Sequence, residues 1–114
     1  MNVRDMQSAL QLQVAAGEGG LDREVAGGYA GDLLSDVMAN AHAGSAWITV
    51  QGHQNIIAVA VLRELSAIIL ANGRMPDEDT RARADKENIP VLLSSLSSYQ
   101  LAGLIYERGI GIQG

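Results

Sequence analysis

The chain contains no cysteine and no phenylalanine, and aromatic residues make up only 4% of it. Without cysteine, disulfides and thiolate chemistry are excluded, and nothing indicates an oxidising compartment. Without phenylalanine, any core must be built from Val, Ile, Leu, Ala and Met, a palette that packs helices closely on a sheet. Long apolar runs are also missing. The longest, Ile56–Leu62, falls far short of the roughly 20 residues that span a bilayer. Positive charge is scarce: 8 Lys and Arg stand against 13 Asp and Glu, a formal charge of −5. That balance supplies no clustered cations for phosphate contacts, so no nucleic-acid partner is expected, and plain solubility accounts for the acidity. Met1–Gln7 carries charges of both signs and no apolar core, so no signal peptide is expected. Together these absences predict a cytoplasmic protein with no membrane partner.

The motifs of common chemistries are absent as well. There is no G-x-x-x-x-G-K-S/T phosphate loop, no H-E-x-x-H, no C-x-x-C and no nucleophile elbow. Gly27-Gly-Tyr-Ala-Gly31 is not a G-x-G-x-x-G fingerprint either. His42 and His53 are the only histidines, too few for a His-rich metal site. Asp77-Glu-Asp79 needs no metal to explain it, because acids are favoured at a helix N-terminus. The expectation is a chain with no catalytic residue, no cofactor and no metal.

What remains is 114 residues, 47% hydrophobic and 18% charged, which predicts one folded domain over residues 1–114. No repeat, linker or low-complexity tract interrupts it. Leu10–Val14 alternates with period two and predicts a strand near a sheet edge. Asp32–Ala41 predicts a helix with Asp32 as N-cap and Leu33, Leu34, Val37, Met38 and Ala41 on one face. Ala46–Val50 reads as a strand and Ile56–Leu65 as a buried helix. Ala67–Leu70 reads as a second buried strand, since parallel strands need such a crossover. Pro76-Asp-Glu-Asp opens a surface helix running to Lys86, and Ile89–Leu93 is a short strand with Pro90 at its start. Ser97 caps a last helix bearing Leu101, Leu104 and Ile105, ended by Gly109. The alternation predicts an α/β fold: a small, mostly parallel sheet of about four strands flanked by helices.

In such a sheet ligands bind along the rim formed by the C-terminal ends of the strands. The strand exits are then Gly17–Gly20, Gln51–Asn55, Asn72–Arg74 and Ser94–Ser95. They bring His53, Asn55, Asn72, Arg74, Ser94 and Ser95 to one border, groups suited to a small polar or anionic ligand. The plainer readings are that Asn55 caps the adjacent helix and that His53 is a turn residue satisfied by a backbone carbonyl. The chain is rich in glycine where it matters most, from Gly19 to Asp36. Such a segment is a tight corner or a ligand cradle, and the corner is the preferred reading. Arg23 would pair locally with Asp22 and Glu24, or present its planar fork to a phosphate or carboxylate beside the N–H groups of Gly27 and Gly28.

Leu21-Asp-Arg-Glu-Val-Ala-Gly-Gly-Tyr-Ala-Gly-Asp-Leu-Leu-Ser-Asp-Val-Met38 resembles the signature of the DRTGG domain, named for an Asp-Arg-Thr-Gly-Gly core. Asp22, Arg23, Gly27 and Gly28 look like that core, with Glu24-Val25-Ala26 inserted. Trp47–Ala60 and Ile68–Pro76 resemble the family's strand-exit segments, so the resemblance covers nearly the whole chain. It implies a fold similar to the N-terminal domain of HPr kinase/phosphorylase. It also implies a regulatory role beside metabolic enzymes, such as CBS-domain pyrophosphatases and phosphate acetyltransferases, and pairing into a homodimer. Kinase activity is not expected, because the phosphate-binding loop is missing.

The first expectation is therefore a non-catalytic regulatory module that binds a small anionic metabolite or nucleotide and dimerises. Its ligand-binding residues would be Asp22, Arg23, Gly27, Gly28, His53, Asn55, Asn72 and Arg74. The second is a structural adaptor that docks onto a partner metabolic enzyme without a ligand. The weakest is an enzyme using His53 as acid or base with a rim serine.

Overall fold

Apolar runs with no polar alternation form the middle of a sheet, because such strands are covered on both faces. The computed structural model describes residues 1–110, and the tail beyond, for which the sequence carries no strong signal, lies outside the described residues. The elements in chain order are α1 (Val3–Leu10), β1 (Gln13–Ala16), β2 (Gly27–Ala30), α2 (Leu34–Asn40) and β3 (Ser45–Thr49). There follow α3 (Asn55–Leu62), β4 (Ala67–Leu70), α4 (Glu78–Glu87), β5 (Val91–Leu93) and α5 (Ser98–Glu107). The sheet order is β1-β5-β4-β3-β2, with β2 to β5 parallel and β1 antiparallel to β5.

Successive side chains of the central strands divide between two cores, as the pleat requires. Trp47, Ile68, Leu70, Val91 and Leu93 face α2, α3 and α4. Ala46, Ile48, Ala67, Ile69 and Leu92 face α1 and α5. Three helices share one face because the parallel strands are laid down stepwise in one direction, so each crossover of the same hand returns over the same side. Among the described residues no helix is long and apolar enough to cross a membrane.

Two expectations need correction. Leu10 does not begin a strand: it closes α1, whose apolar residues Val3, Met6 and Leu10 fall on one buried face. Asn2 and Asp5 form a reciprocal capping box at the start of that helix, a local signal that outweighs the alternation of Leu10, Leu12 and Val14. Gln11 then reverses the chain at φ 54°, and the strand follows at the sheet edge. The second correction is a fifth strand. Gly27–Ala30 has little strand propensity, yet it pairs in parallel register with Ser45–Ile48. Non-local pairing with β3 makes this strand, not its own residues.

Candidate functional site

The glycine-rich segment runs beneath the sheet, along the N-terminal ends of the parallel strands. Gly17 has φ 74°, and a Cβ there would stand 1.9 Å from the Ile89 carbonyl oxygen. A Cβ on Gly20 would meet the Asn88 oxygen at 2.1 Å. The Gly17 N–H donates to Asp85 Oδ1 at 2.7 Å, and Arg23 Nε donates to the Asn88 carbonyl at 3.2 Å. Further along, the Ser66 hydroxyl donates to the carbonyls of Glu24 and Gly44. The Ala26 N–H donates to the Gly44 carbonyl at 2.8 Å. The segment therefore ties to the chain just before β5, β4 and β3 in turn. Gly17, Gly19 and Gly20 are consumed by close approach to Asn88–Pro90, which is the corner reading at the start of the segment, whereas Gly27 and Gly28 run on into β2.

Arg23 does not pair with its neighbours in sequence. Asp22 instead accepts from Arg4 Nε at 3.2 Å, and Glu24 lies 3.5 Å from the N-terminal amine. These exposed pairs dock α1 against the strap. Each is worth only about 0.2–1 kcal/mol.

The opposite border, where β2 to β5 end, carries the other half of the expected site. Asp32 was expected as the N-cap of α2. Its carboxylate turns away and accepts from the buried Thr49 hydroxyl at 2.8 Å and from the Val50 N–H at 3.0 Å, while α2 has no side-chain cap. Gln51 Nε2 donates to the Asp32 carbonyl at 2.9 Å. Gly52 lies against the next loop: a Cβ there would meet the Met75 carbonyl oxygen at 2.5 Å. The Gly52 carbonyl accepts from the Asp77 N–H at 2.9 Å and from the buried Thr80 hydroxyl at 2.7 Å. His53 Nδ1 accepts from the Asn55 N–H at 3.2 Å, so His53 rather than Asn55 completes the start of α3. It is satisfied by a backbone donor, not a carbonyl.

Beside these loops opens a cleft of about 510 Å³ lined by Arg74, Met75, Ser94, Ser95, Gln11 and Gln13, with Leu10, Leu93 and Leu96 as its apolar walls. The Gly73 N–H donates to the Ser94 carbonyl at 2.9 Å, fixing the Arg74 loop over the end of β5. Among the described residues Arg74 enters neither of the two ion pairs, and its exposed guanidinium is left to water. The volume lies within the range of small-molecule sites, and a planar cation, two hydroxyls and two amides along its lining are donor groups of the kind an anionic group accepts from. Among the described residues no group of three His, Asp or Glu side chains could hold a metal ion.

The eight expected ligand residues are thus split between two borders. Asp22, Arg23, Gly27 and Gly28 lie at the N-terminal ends of the strands. His53, Asn55, Asn72 and Arg74 lie at the C-terminal ends, a strand length away at roughly 3.3 Å per residue. The single expected border is corrected because β1 runs antiparallel, so its exit at Gly17 points the other way. Gln11 and Gln13 were missed, since they reach the cleft only through the αL turn after α1 and the pairing of Gln13 with Leu93.

A family model described as the DRTGG domain matches residues 5–107. No curated protein matches the chain. Among solved structures, the fold is similar to the CBS and DRTGG domains of the regulatory region of Clostridium perfringens pyrophosphatase, complexed with its activator diadenosine tetraphosphate. The TM-score is 0.68 at 16% identity, covering 91% of this chain and 45% of that one. This chain therefore spans less than half the length of its structural neighbour.

Proposed function

The chain belongs to the DRTGG domain family, and from that premise we propose that it is a non-catalytic regulatory module. It takes a small anionic metabolite, nucleotides included, at the C-terminal rim of its sheet, and it acts as a homodimer. The observation that carries the ligand reading is the Arg74 cleft, where an exposed guanidinium that enters no ion pair among the described residues lines the same opening as Ser94, Ser95 and the apolar Leu10, Leu93 and Leu96. His53, Asn55 and Asn72 share that rim and extend its polar surface. Arg23 and Asp22 belong to the strap and leave the site. The neighbour's complex with a dinucleotide activator supports nucleotides as the first class to try, although the shared fold does not carry the nucleotide's position.

A thermal-shift screen with AMP, ATP, diadenosine tetraphosphate and phosphorylated sugars tests this reading. At a hundred times Kd a ligand stabilises by about 2.7 kcal/mol, a Tm rise of roughly 10 °C for a domain this size. The expected result is a rise with at least one phosphorylated compound, lost in Arg74→Ala and kept in Arg23→Ala. A flat screen at millimolar concentration overturns it and selects the second reading, an adaptor docking on a metabolic enzyme. That reading has support from the neighbour's place in an enzyme's regulatory region.

A further inference from the structure

The cleft beside Arg74 holds more than a cation, and its groups stand in a fixed order. The sheet runs β1-β5-β4 on that side, and because β1 is antiparallel its start, not its end, reaches this rim. Gln11 and Gln13 therefore line one end of the opening, Ser94 and Ser95 its middle and Arg74 the other end. Neighbouring strands lie about 4.8 Å apart, which sets the two ends roughly 10 Å from one another. The amides at the first end are not used within the chain. Gln7 and Gln51 donate to the carbonyls of Leu12 and Asp32, and Gln100 completes the start of α5. Among the described residues Gln11 and Gln13 line the cleft without any side-chain hydrogen bond of that kind. Gln11 is also unfavourable where it stands. It closes α1 at φ 54°, in the left-handed region that favours glycine or asparagine.

We propose that the cleft takes a nucleoside monophosphate, with its phosphate on Arg74, its sugar beside the serine hydroxyls and its base at the glutamine end. This rests on the reading of the rim as an anion site and narrows that site to one phosphate and one base. The planar guanidinium fork pairs with two phosphate oxygens at once. A carboxamide presents a donor and an acceptor side by side, the pattern that reads a base edge. Leu10, Leu93 and Leu96 supply apolar surface for the ring. Charge limits the ligand to a single phosphate. Among the described residues that line the cleft Arg74 is the only cation and none is acidic, although the chain carries 13 Asp and Glu. Straight after Arg74 the chain turns acidic at Asp77, Glu78 and Asp79, which opposes further phosphates on that side. Size agrees. The cleft's volume of about 510 Å³ lies in the lower half of the roughly 300–1,000 Å³ that small-molecule sites span. That is room for one nucleotide, not for two joined together.

Isothermal titration calorimetry of the full chain tests this with AMP, GMP, CMP, UMP, ATP, diadenosine tetraphosphate and ribose 5-phosphate. At least one monophosphate is expected to bind about tenfold or more tightly than ribose 5-phosphate, the size of a bidentate amide contact, and more tightly than ATP. Gln11→Gly combined with Gln13→Ala is expected to bring that monophosphate down to the affinity of ribose 5-phosphate, whose own binding stays as it was. The Tm of this variant is expected to be unchanged or raised, because glycine suits φ 54°. Arg74→Ala is expected to remove binding of every compound. Ribose 5-phosphate bound as tightly as every monophosphate, or a base preference that survives the double substitution, overturns the base assignment and leaves the anion site standing. ATP or diadenosine tetraphosphate bound more tightly than every monophosphate overturns the single-phosphate assignment in the same way. Heat from none of the compounds at millimolar concentration overturns this inference and the anion reading together.

Discussion

Single side chains here hold borders together more than they fill space. Asp32 illustrates the point, joining the end of β2 to the end of β3 through Thr49 and Val50. Asp32→Ala leaves the buried Thr49 hydroxyl without that partner, and a loss of about 1–3 kcal/mol is expected in urea unfolding. Gly17 is more severe. At φ 74° with an oxygen 1.9 Å from its would-be Cβ, Gly17→Ala combines left-handed strain with overpacking, together about 2–5 kcal/mol. Tyr29 adds a dependence on pH. Its hydroxyl donates to the Asp36 carboxylate; that bond first, then burial, then the charge of Asp36 raise the phenol above its ordinary value. A raised folded-state value means the bond's stabilisation is complete below the ordinary tyrosine range of about 10, and is lost as pH climbs through the raised one. Thermal melts in alkaline buffer are expected to show that fall, and Tyr29→Phe to flatten it.

Elements owe their boundaries to local chemistry where a cap exists and to neighbours where none does. On α5, Ser97 and Gln100 exchange side-chain-to-backbone bonds at 3.1 and 3.0 Å, and the serine was legible as a cap. Ser97→Ala is expected to cost about 0.5–2 kcal/mol, measured by the shift of the denaturation midpoint. By contrast α2 begins at Leu34 behind an N-cap, Leu33, that makes no side-chain cap bond, and Leu33 is exposed instead of joining the buried face of Val37 and Ala41. The strand β2 is held by β3 on one side only.

For the whole molecule, the consequence is a gradient of stability across the sheet. Every residue of β3, β4 and β5 is buried, whereas β2 alternates between half-buried and exposed. Amide exchange followed by mass spectrometry is expected to be slowest for Ser45–Thr49 and Ala67–Leu70, at rates set by global unfolding. It is expected to be markedly faster for Gly27–Ala30, which opens locally. Exchange as slow in β2 as in β4 would show that something covers that edge.

Local pattern alone determined the α/β class, the strand at Ala67–Leu70 residue for residue, the helices around Ile56 and Glu78, and the cap at Ser97. These depend on side chains a few positions apart, so periodicity and capping residues report them directly. The resemblance of Leu21–Met38, Trp47–Ala60 and Ile68–Pro76 to the DRTGG signature was likewise legible before any fold was known. Tertiary structure alone decided that Gly27–Ala30 is a strand and that Asp32 bonds Thr49 and Val50 rather than capping α2. It also decided that Arg23 and Arg74 belong to opposite borders. The physical reason is common to all three: each depends on which strand lies beside which and in what direction it runs. The antiparallel course of β1 is set by pairing with β5, a segment some eighty residues further along the chain.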